Sequence, residues 1–445
     1  MDFNAFKEAV IAKCAEMGIT EYELYYQNAE STSIGAFQHE INQFTCSTEG
    51  GVCFRCIYGG KMGYASTEDL SAAQAAAVVE KAVDNATFLE AEEQVFLCEG
   101  GQEYLPLEDR SYQLPATEEI ISTVLATQDK LYQADPAVID GSQTQGVAER
   151  SEIAIYNSKG LDLHSVTTLS GLIAVAVVTN GQEMANDYQI KLEKLDTIDV
   201  DALTKKAAAT AKQKLGGDVA PTGQYPVVFD PEAMSDLLQV YSSIFSSEMA
   251  QKGLSKLSGK EGEVIASDVV TLIDDPFHKT NPNARNFDAE GSPTYCKNVI
   301  ENGVFKTLLY NLKTAAVAGK KTTGNASKPG YAGAVGISPF TMYLAPGTVS
   351  EDELLAQAGE GVYINSLGGL HAGADFISGD FSLQSSGFMI RDGKKAEYVK
   401  SFTVAGNFYD MLKNIKVVAS NLEMPGMSGF GSPSVLVEGL SVAGK

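Results

Sequence analysis

Few residues in this chain have the spacing that catalysis or metal binding requires. Cys53-Phe54-Arg55-Cys56 has the C-x-x-C pattern of redox pairs and half zinc sites. The segment around it reads as a strand, where side chains alternate faces, so positions i and i+3 point to opposite sides. Sulfurs placed that way serve packing rather than one metal. Asp274-Asp275 and Asp288-Ala289-Glu290 are acidic pairs behind apparent strands. Such carboxylates can hold a cation or act as general acid and base, or can simply be solvated loop residues. His371 lies in the run Gly368-Gly369-Leu370-His371-Ala372-Gly373-Ala374-Asp375. Glycines there permit close backbone approach to a ligand, or a plain turn. Asp380 opens Asp380-Phe381-Ser382-Leu383-Gln384-Ser385-Ser386-Gly387. A serine in it becomes a nucleophile only beside a base, and a glycine-bounded turn feeding a strand is the plainer reading.

Other chemistries fail on spacing. His39, His164, His278 and His371 are scattered, and no two share a helical face at metal-ligand spacing. Gly319-Lys320-Lys321-Thr322 imitates a phosphate-binding loop, but Lys321 stands where Ser/Thr is needed and Thr314 replaces the first glycine. Gly426-Met427-Ser428-Gly429 is only a fragment of a nucleophile elbow.

Composition narrows the class. The 445 residues suffice for two or three domains, with 44% hydrophobic and 20% charged residues, an ordinary globular balance. Against 57 acidic residues stand 33 basic ones, for a formal charge of −24. A nucleic-acid duplex would repel such a chain, and no basic cluster offsets the repulsion. Six scattered cysteines suit a reducing compartment. The opening residues read as an amphipathic helix through Phe3, Phe6, Val10 and Ile11, without the basic-then-apolar order of a secretory signal. The longest apolar stretch, Leu172–Val178, is too short to span a bilayer. The expected location is the cytoplasm.

The elements that must position these residues are α and β mixed. Strands are expected at Tyr22–Gln27 and Ser31–Phe37, a hairpin at Gly51–Tyr58 and Met62–Ala65 around Gly59-Gly60, and a helix at Leu70–Ala86. A second block repeats the order: helix Glu118–Gln133, hairpin Glu152–Tyr156 and Leu161–Val166, strand Ser170–Thr179, helix Asp201–Lys214. Residues 1–217 are thus expected to form an α/β domain of two related halves, about 1–110 and 111–217. Gly216–Gly223 reads as the linker. Residues 224–445 are expected to be β-rich, with helices at Pro231–Gln251, Tyr310–Gly319 and Ser350–Ala358. Short strands are expected at Val269–Ile273, Gly361–Ile364, Gly387–Ile390, Glu397–Thr403, Val417–Val418 and Ser434–Glu438.

Several glycine-rich segments carry a family resemblance. Asn286-Phe287-Asp288-Ala289-Glu290-Gly291-Ser292-Pro293-Thr294 with Val299-Ile300-Glu301-Asn302-Gly303 resembles the "DDEGTP…LIENG" signature of the TldD/PmbA family. Thr323-Gly324-Asn325 resembles its "TGN" loop, and Gly51–Asp69 its "GVGVRVI…GFASTxDL" region. Ser378-Gly379-Asp380-Phe381-Ser382 with Ser386-Gly387-Phe388, and Phe402-Thr403-Val404-Ala405-Gly406-Asn407, resemble motifs of the PmbA, or TldE, branch. The five occur in family order over nearly the whole chain.

The resemblance implies a two-part α+β fold and a family of metallopeptidases also called modulators of DNA gyrase. In it a catalytic TldD-type subunit pairs with a TldE/PmbA-type subunit to degrade unfolded or flexible peptides. The catalytic branch binds zinc through H-E-x-x-x-H on the first helix of its C-terminal domain and a later cysteine. Counted back from Gly253–Gly259, which resembles "GTSVFSG", those positions fall on Leu238, Gln239 and Ser243, and no cysteine follows Cys296. The expectation is therefore a chain without its own cofactor, with zinc in a TldD-type partner. It would supply chamber walls, with Gly324, Asn325, Gly369, His371 and Gly373 as candidates. Two alternatives are a peptidase using Asp288, Glu290, His371 and Asp380, and a homodimer that binds peptides.

Overall fold

A computed structural model describes residues 1–89, 95–281, 284–426 and 428–445. Its N-terminal part runs α1 (Phe3–Met17), β1 (Tyr22–Phe37), β2 (Glu40–Tyr58), β3 (Lys61–Thr67), α2 (Ala72–Phe88), α3 (Thr117–Ala134), β4 (Gln143–Asn157), β5 (Asp162–Thr179), β6 (Met184–Lys191) and α4 (Val200–Gln213). Asp2, Ser71 and Asp199 cap α1, α2 and α4 by accepting backbone N–H groups of the first turn. The strands form one antiparallel sheet in the order β3-β2-β1-β4-β5-β6. Both halves follow the order helix, three strands, helix, and they meet at the β1–β4 pair.

The strands are longer than their apolar segments. β1 is continuous across Asn28–Glu30, where two strands were expected, and β2 begins at Glu40 rather than Gly51. The added lengths are mostly polar and are exposed or half-buried, so no sustained hydrophobic alternation announces them. One face of the sheet is covered by helices: α1 and α2 pack on Leu24, Phe54 and Cys56, while α3 and α4 pack on Ile34, Leu172 and Ala174. Part of the other face, at Tyr25, Cys53 and Ile155, meets the C-terminal residues Phe287, Ala289 and Ala326. Cys53 and Cys56 therefore lie in different clusters on opposite faces.

The supposed linker is itself ordered. Asp218–Val219 is β7, paired with a C-terminal strand, and Ala220 is buried with its carbonyl accepting from Lys445 N. The C-terminal part continues β8 (Gly223–Phe229), α5 (Pro231–Tyr241), α6 (Ser247–Gln251), β9 (Leu272–Asp274), β10 (Lys297–Glu301), β11 (Val304–Phe305), α7 (Leu312–Ala318), β12 (Ala326–Ser327), β13 (Gly336–Ile337) and β14 (Met342–Leu344). It ends with α8 (Glu351–Ala358), β15 (Gly361–Gly368), α9 (Leu370–Gly373), β16 (Asp380–Arg391), β17 (Lys394–Asn407), α10 (Phe408–Asn414), β18 (Ile415–Val418), β19 (Phe430–Gly431) and β20 (Val435–Ala443). β8, β15, β16, β17 and β20 pair in a closed ring, because β17 also bonds to β20. A single large core joins this ring to α5, α10 and the smaller sheet β11-β10-β9-β14-β19.

The expected helix Pro231–Gln251 is broken. A 3-10 turn at Ser242–Phe245 and an extended Ser246 separate α5 from α6. The run Ser242-Ser243-Ile244-Phe245-Ser246-Ser247 explains this, since serine side chains compete for backbone groups. Ser242 Oγ does so, donating to the Gln239 carbonyl at 2.8 Å.

Strand packing in the ring leaves no room at Gly387. A Cβ there would lie 1.8 Å from the carbonyl oxygen of Tyr363 on neighbouring β15. Gly387→Ala is expected to lower stability by about 1–3 kcal/mol or more, as overpacked sites do. A fall in the urea midpoint checks it.

Candidate functional site

A cavity of about 1490 Å³ opens between the N-terminal sheet and the C-terminal part. One wall is β6. Every residue from Asn186 to Lys191 lines the space, on both parities of the strand, so β6 presents its edge rather than a face. It is the last strand of its sheet. At Tyr188 the backbone is capped locally: its N–H donates to Asp187 Oδ1 at 2.7 Å, and its carbonyl accepts from Gln189 Nε2 at 2.8 Å. Charged and polar residues on an edge strand keep it from pairing indiscriminately. Opposite stand the start of α5, the β12 segment Ala326–Lys328, and the loop Ser338–Thr341. Tyr188 Oη donates to Glu232 Oε1 at 3.2 Å, which ties β6 to α5.

Asp230 caps α5 and also lines the cavity, its carboxylate accepting the Ala233 N–H at 2.8 Å. Burial pushes its carboxyl up to about 7, against the opposing effect of that N–H. Burial, with nearby Asp187, also raises Glu232. Further along α5 the positions matched to a zinc motif have no ligand character. Leu238 is buried in the core beside Met234, Leu237 and Tyr241. Gln239 is exposed, and Ser243 sits half-buried in the 3-10 turn. An aliphatic side chain has no lone pair, and zinc favours imidazole, thiolate and carboxylate. The residues of this helix face do not fit the ion that the resemblance implies.

The acidic candidates part company. Asp288 is fully buried; its carboxylate accepts backbone N–H bonds from Glu290, Ser292 and Ala326, each at 2.9 Å. Glu290, also buried, accepts the Leu312 N–H at 2.8 Å and lies 3.9 Å from Arg55 Nη1. Burial raises both carboxyls, the charge of Glu290 adding to the effect on Asp288 and Arg55 opposing it at Glu290. Arg55 Nε donates to Glu23 Oε1 at 2.8 Å, with Nη2 at the same distance but without hydrogen-bond geometry. Desolvation works against the Arg55 charge, but Glu23 and Glu290 more than offset it. The pair Asp288 and Glu290 thus serves as a buried joint between the two parts, behind the cavity wall formed by Ala289.

His371 and Asp380 lie elsewhere. His371 is exposed on the one-turn α9. Asp380 is exposed at the start of β16, where Asn407 Nδ2 donates to it at 2.7 Å. Neither lines the cavity. Gly369 has φ +74° at the start of α9, and a Cβ on Gly373 would lie 2.4 Å from the Ser382 carbonyl oxygen, so both glycines answer to local geometry. Gly324 is similar, with φ +68° and only 2.3 Å from a Cβ to the Pro293 carbonyl oxygen. Asn325 is completely buried: its amide donates to Asp274 Oδ2 at 2.7 Å and to the Ser338 carbonyl at 3.0 Å. Its side chain is a brace under the wall, and Ala326–Lys328 beyond it are the wall. Asp274 is also spoken for, paired with Lys297 at 3.1 Å, and Ser385 Oγ donates to the Leu383 carbonyl rather than to a base.

Sequence reasoning missed the residues that do face the cavity. Tyr25, Arg285, Lys328, Thr341 and Asn365 line it from five separate segments. Their spacing carries no signal, because long-range pairing alone brings them together.

Two outcomes follow from this chemistry. Arg55→Met strands Glu23 and Glu290 in a dry joint and is expected to cost about 3–5 kcal/mol, read by chemical denaturation. Asp230 keeps its proton in the folded state at a pH where the unfolded chain has lost it, so its stabilising contribution is full below about pH 4 and is lost as pH rises through 7. Asp230→Asn keeps a capping side chain and is expected to remove that decline. Melting temperatures of both proteins between pH 4.5 and 8 check it: the gap should shift in favour of the variant as pH rises.

Comparison with known proteins places this geometry. Family models for the PmbA/TldA metallopeptidase match residues 22–86 (domain 1), 113–215 (central domain) and 222–444 (C-terminal domain). A metalloprotease of Methanothermobacter thermautotrophicus is 31% identical over 66% of this chain and 68% of its own length. A metalloprotease PmbA homolog of Haemophilus influenzae is 23% identical over 95% of this chain and 92% of its own. The crystal structure of a putative modulator of a DNA gyrase from Thermotoga maritima superposes with TM-score 0.91 at 30% identity, over 99% of this chain and 100% of that one. TldE from Thermococcus kodakarensis superposes with TM-score 0.87 at 22% identity, over 99% and 100%. With all three family domains present in order around one cavity, this chain belongs to the PmbA/TldD metallopeptidase family.

Proposed function

We propose that this chain is a TldE/PmbA-like subunit that holds extended peptides for a zinc-bearing TldD-type homologue and does not itself cleave them. The observation that carries the reading is the β6 edge along the large cavity, locally capped at Tyr188 by neighbouring side chains. A peptide that adds a strand to such an edge binds through its backbone, which tolerates many sequences. The α5 helix argues for division of labour: it gives leucine to the core where a metallopeptidase needs imidazole. The reading of a peptidase in its own right has little support from Asp288 and Glu290, buried in the joint, or from His371 and Asp380, which lie away from the cavity.

Two measurements test the proposal. Peptide cleavage by a zinc-bearing homologue from the same cell is expected to require this chain; unchanged cleavage after its deletion would refute the subunit role. Tyr188→Pro removes the edge N–H, which a bound peptide would take over from Asp187 and whose loss edge strands tolerate, and is expected to weaken binding of a flexible labelled peptide roughly 3- to 10-fold, as lost hydrogen bonds do. Tyr188→Phe, which loses only the hydroxyl tie to Glu232, is the control and should bind as the parent does.

A further inference from the structure

Two cations of the cavity stand without a carboxylate partner, although carboxylates line other parts of it. Arg285 lines it, and its Nε and Nη1 are buried with no hydrogen-bond partner. Lys328 lines it too, with Nζ 4.4 Å from the centroid of the Tyr25 ring. Arg285 stands at the other functional end of that residue: burial raises the Tyr25 hydroxyl, and the Arg285 guanidinium beside it opposes the rise. Among the described residues no carboxylate pairs with either cation.

The acids that could neutralise them are committed. Glu23 and Asp288 both act on Tyr25 from behind. Glu23 is held by Arg55, and Asp288 by three backbone N–H groups. A buried donor without a partner is costly, and the cost is larger for a charged one. Arg285 is such a donor, and Lys328 adds a second cation on the same aromatic ring, though burial works against its charge; together they form a receptor for an anion, with the planar fork of Arg285 matched to a carboxylate. The same cavity also holds unpaired polar oxygens, Thr341 Oγ1 and Asn365 Oδ1. The amide oxygen of Asn365 can only accept, so it asks for a donor, which a peptide N–H supplies. A ligand with N–H groups and a carboxylate is a peptide end; inorganic phosphate lacks the first feature.

We propose that Arg285 and Lys328, held together by Tyr25, receive the α-carboxylate at the C-terminal end of a bound peptide. The proposal rests on the peptide-binding reading above and adds which end of the chain is recognised.

The test uses the purified full chain and an N-terminally labelled flexible peptide of Gly, Ser and Val, read by fluorescence anisotropy. The peptide is made with a free C-terminal carboxylate, as the C-terminal amide, and as the amide with one internal Glu. The free acid is expected to bind about 10- to 100-fold more tightly than the amide, the effect of a hydrogen-bonded charge. Arg285→Gln, and to a lesser degree Lys328→Met, are expected to remove that preference while leaving amide binding unchanged and the melting temperature no lower than the parent's. Equal binding of acid and amide would overturn the proposal and leave the peptide-binding reading standing. Binding of no peptide at all would overturn both. An internal-Glu amide that binds as well as the free acid would overturn the C-terminal assignment in favour of side-chain carboxylates. A variant that loses acid and amide binding alike would show a merely structural role for its residue.

Discussion

A buried guanidinium must be paired where it lies, and Arg55 is paired by carboxylates from two distant parts of the chain. Glu23 reaches it from the adjacent strand β1, and Glu290 from the loop after Phe287 in the C-terminal part. Separating the parts would leave charges stranded in an apolar joint lined by Tyr25, Cys53, Ile155 and Ala326. The joint therefore fixes how the N-terminal sheet stands against the C-terminal ring. The cavity is shaped by that stance, since its walls come from both: β6 and Tyr25 on one side, α5 and the Ala326–Thr341 region on the other. Asp288 extends the arrangement. Its three backbone N–H bonds fix the turn that brings Glu290 to Arg55 and holds Ala289 at the cavity surface.

Much of the N-terminal architecture was legible in the sequence because its helices carry clear periodicity and caps. Helices expected at Leu70–Ala86 and Asp201–Lys214 are present but start at Ala72 and Val200, where Ser71 and Asp199 accept backbone N–H groups of the first turn. Strand existence was legible from apolar alternation, strand length was not: Glu40–Gly50 pairs with β1 for its whole extent while exposing polar side chains. The C-terminal part resisted for another reason. Its ring closes through pairings between residues far apart, such as Val404 with Val442, and nothing local encodes them. Carboxylates at Asp288 and Glu290 were visible as chemistry, but their burial is a property of the joint. Arg285 and Lys328 were ordinary basic residues until folding placed both against Tyr25.

The helix α5 divides its residues between the core and the cavity. Its inward face, from Met234 through Leu237, Leu238 and Tyr241, packs against the ring, and the Tyr241 ring stacks on Phe408 at 4.3 Å. Such packing favours a fixed helix whether or not a metal is present. Its first turn meets the cavity instead, with Asp230 capping the helix and Glu232 bonded to Tyr188 of the edge strand. The helix thus positions polar groups at one end while its centre is committed to the core.

Electrostatics divides the cavity in a way that net charge does not foretell. Near α5 and β6 two carboxylates have cationic partners: Lys395 lies 3.1 Å from Glu351, and Lys214 lies 3.1 Å from Asp187. Around Tyr25 the balance is reversed, with two cations and no paired acid among the described residues. A chain with a formal charge of −24 has carboxylates to spare. Leaving these two cations without a paired carboxylate costs free energy that an ion pair would recover. The fold withholds that pairing by spending Glu23 on Arg55 and Asp288 on backbone N–H groups. The recess is thereby kept for an anion that arrives from outside, next to an edge strand on which an extended backbone can lie.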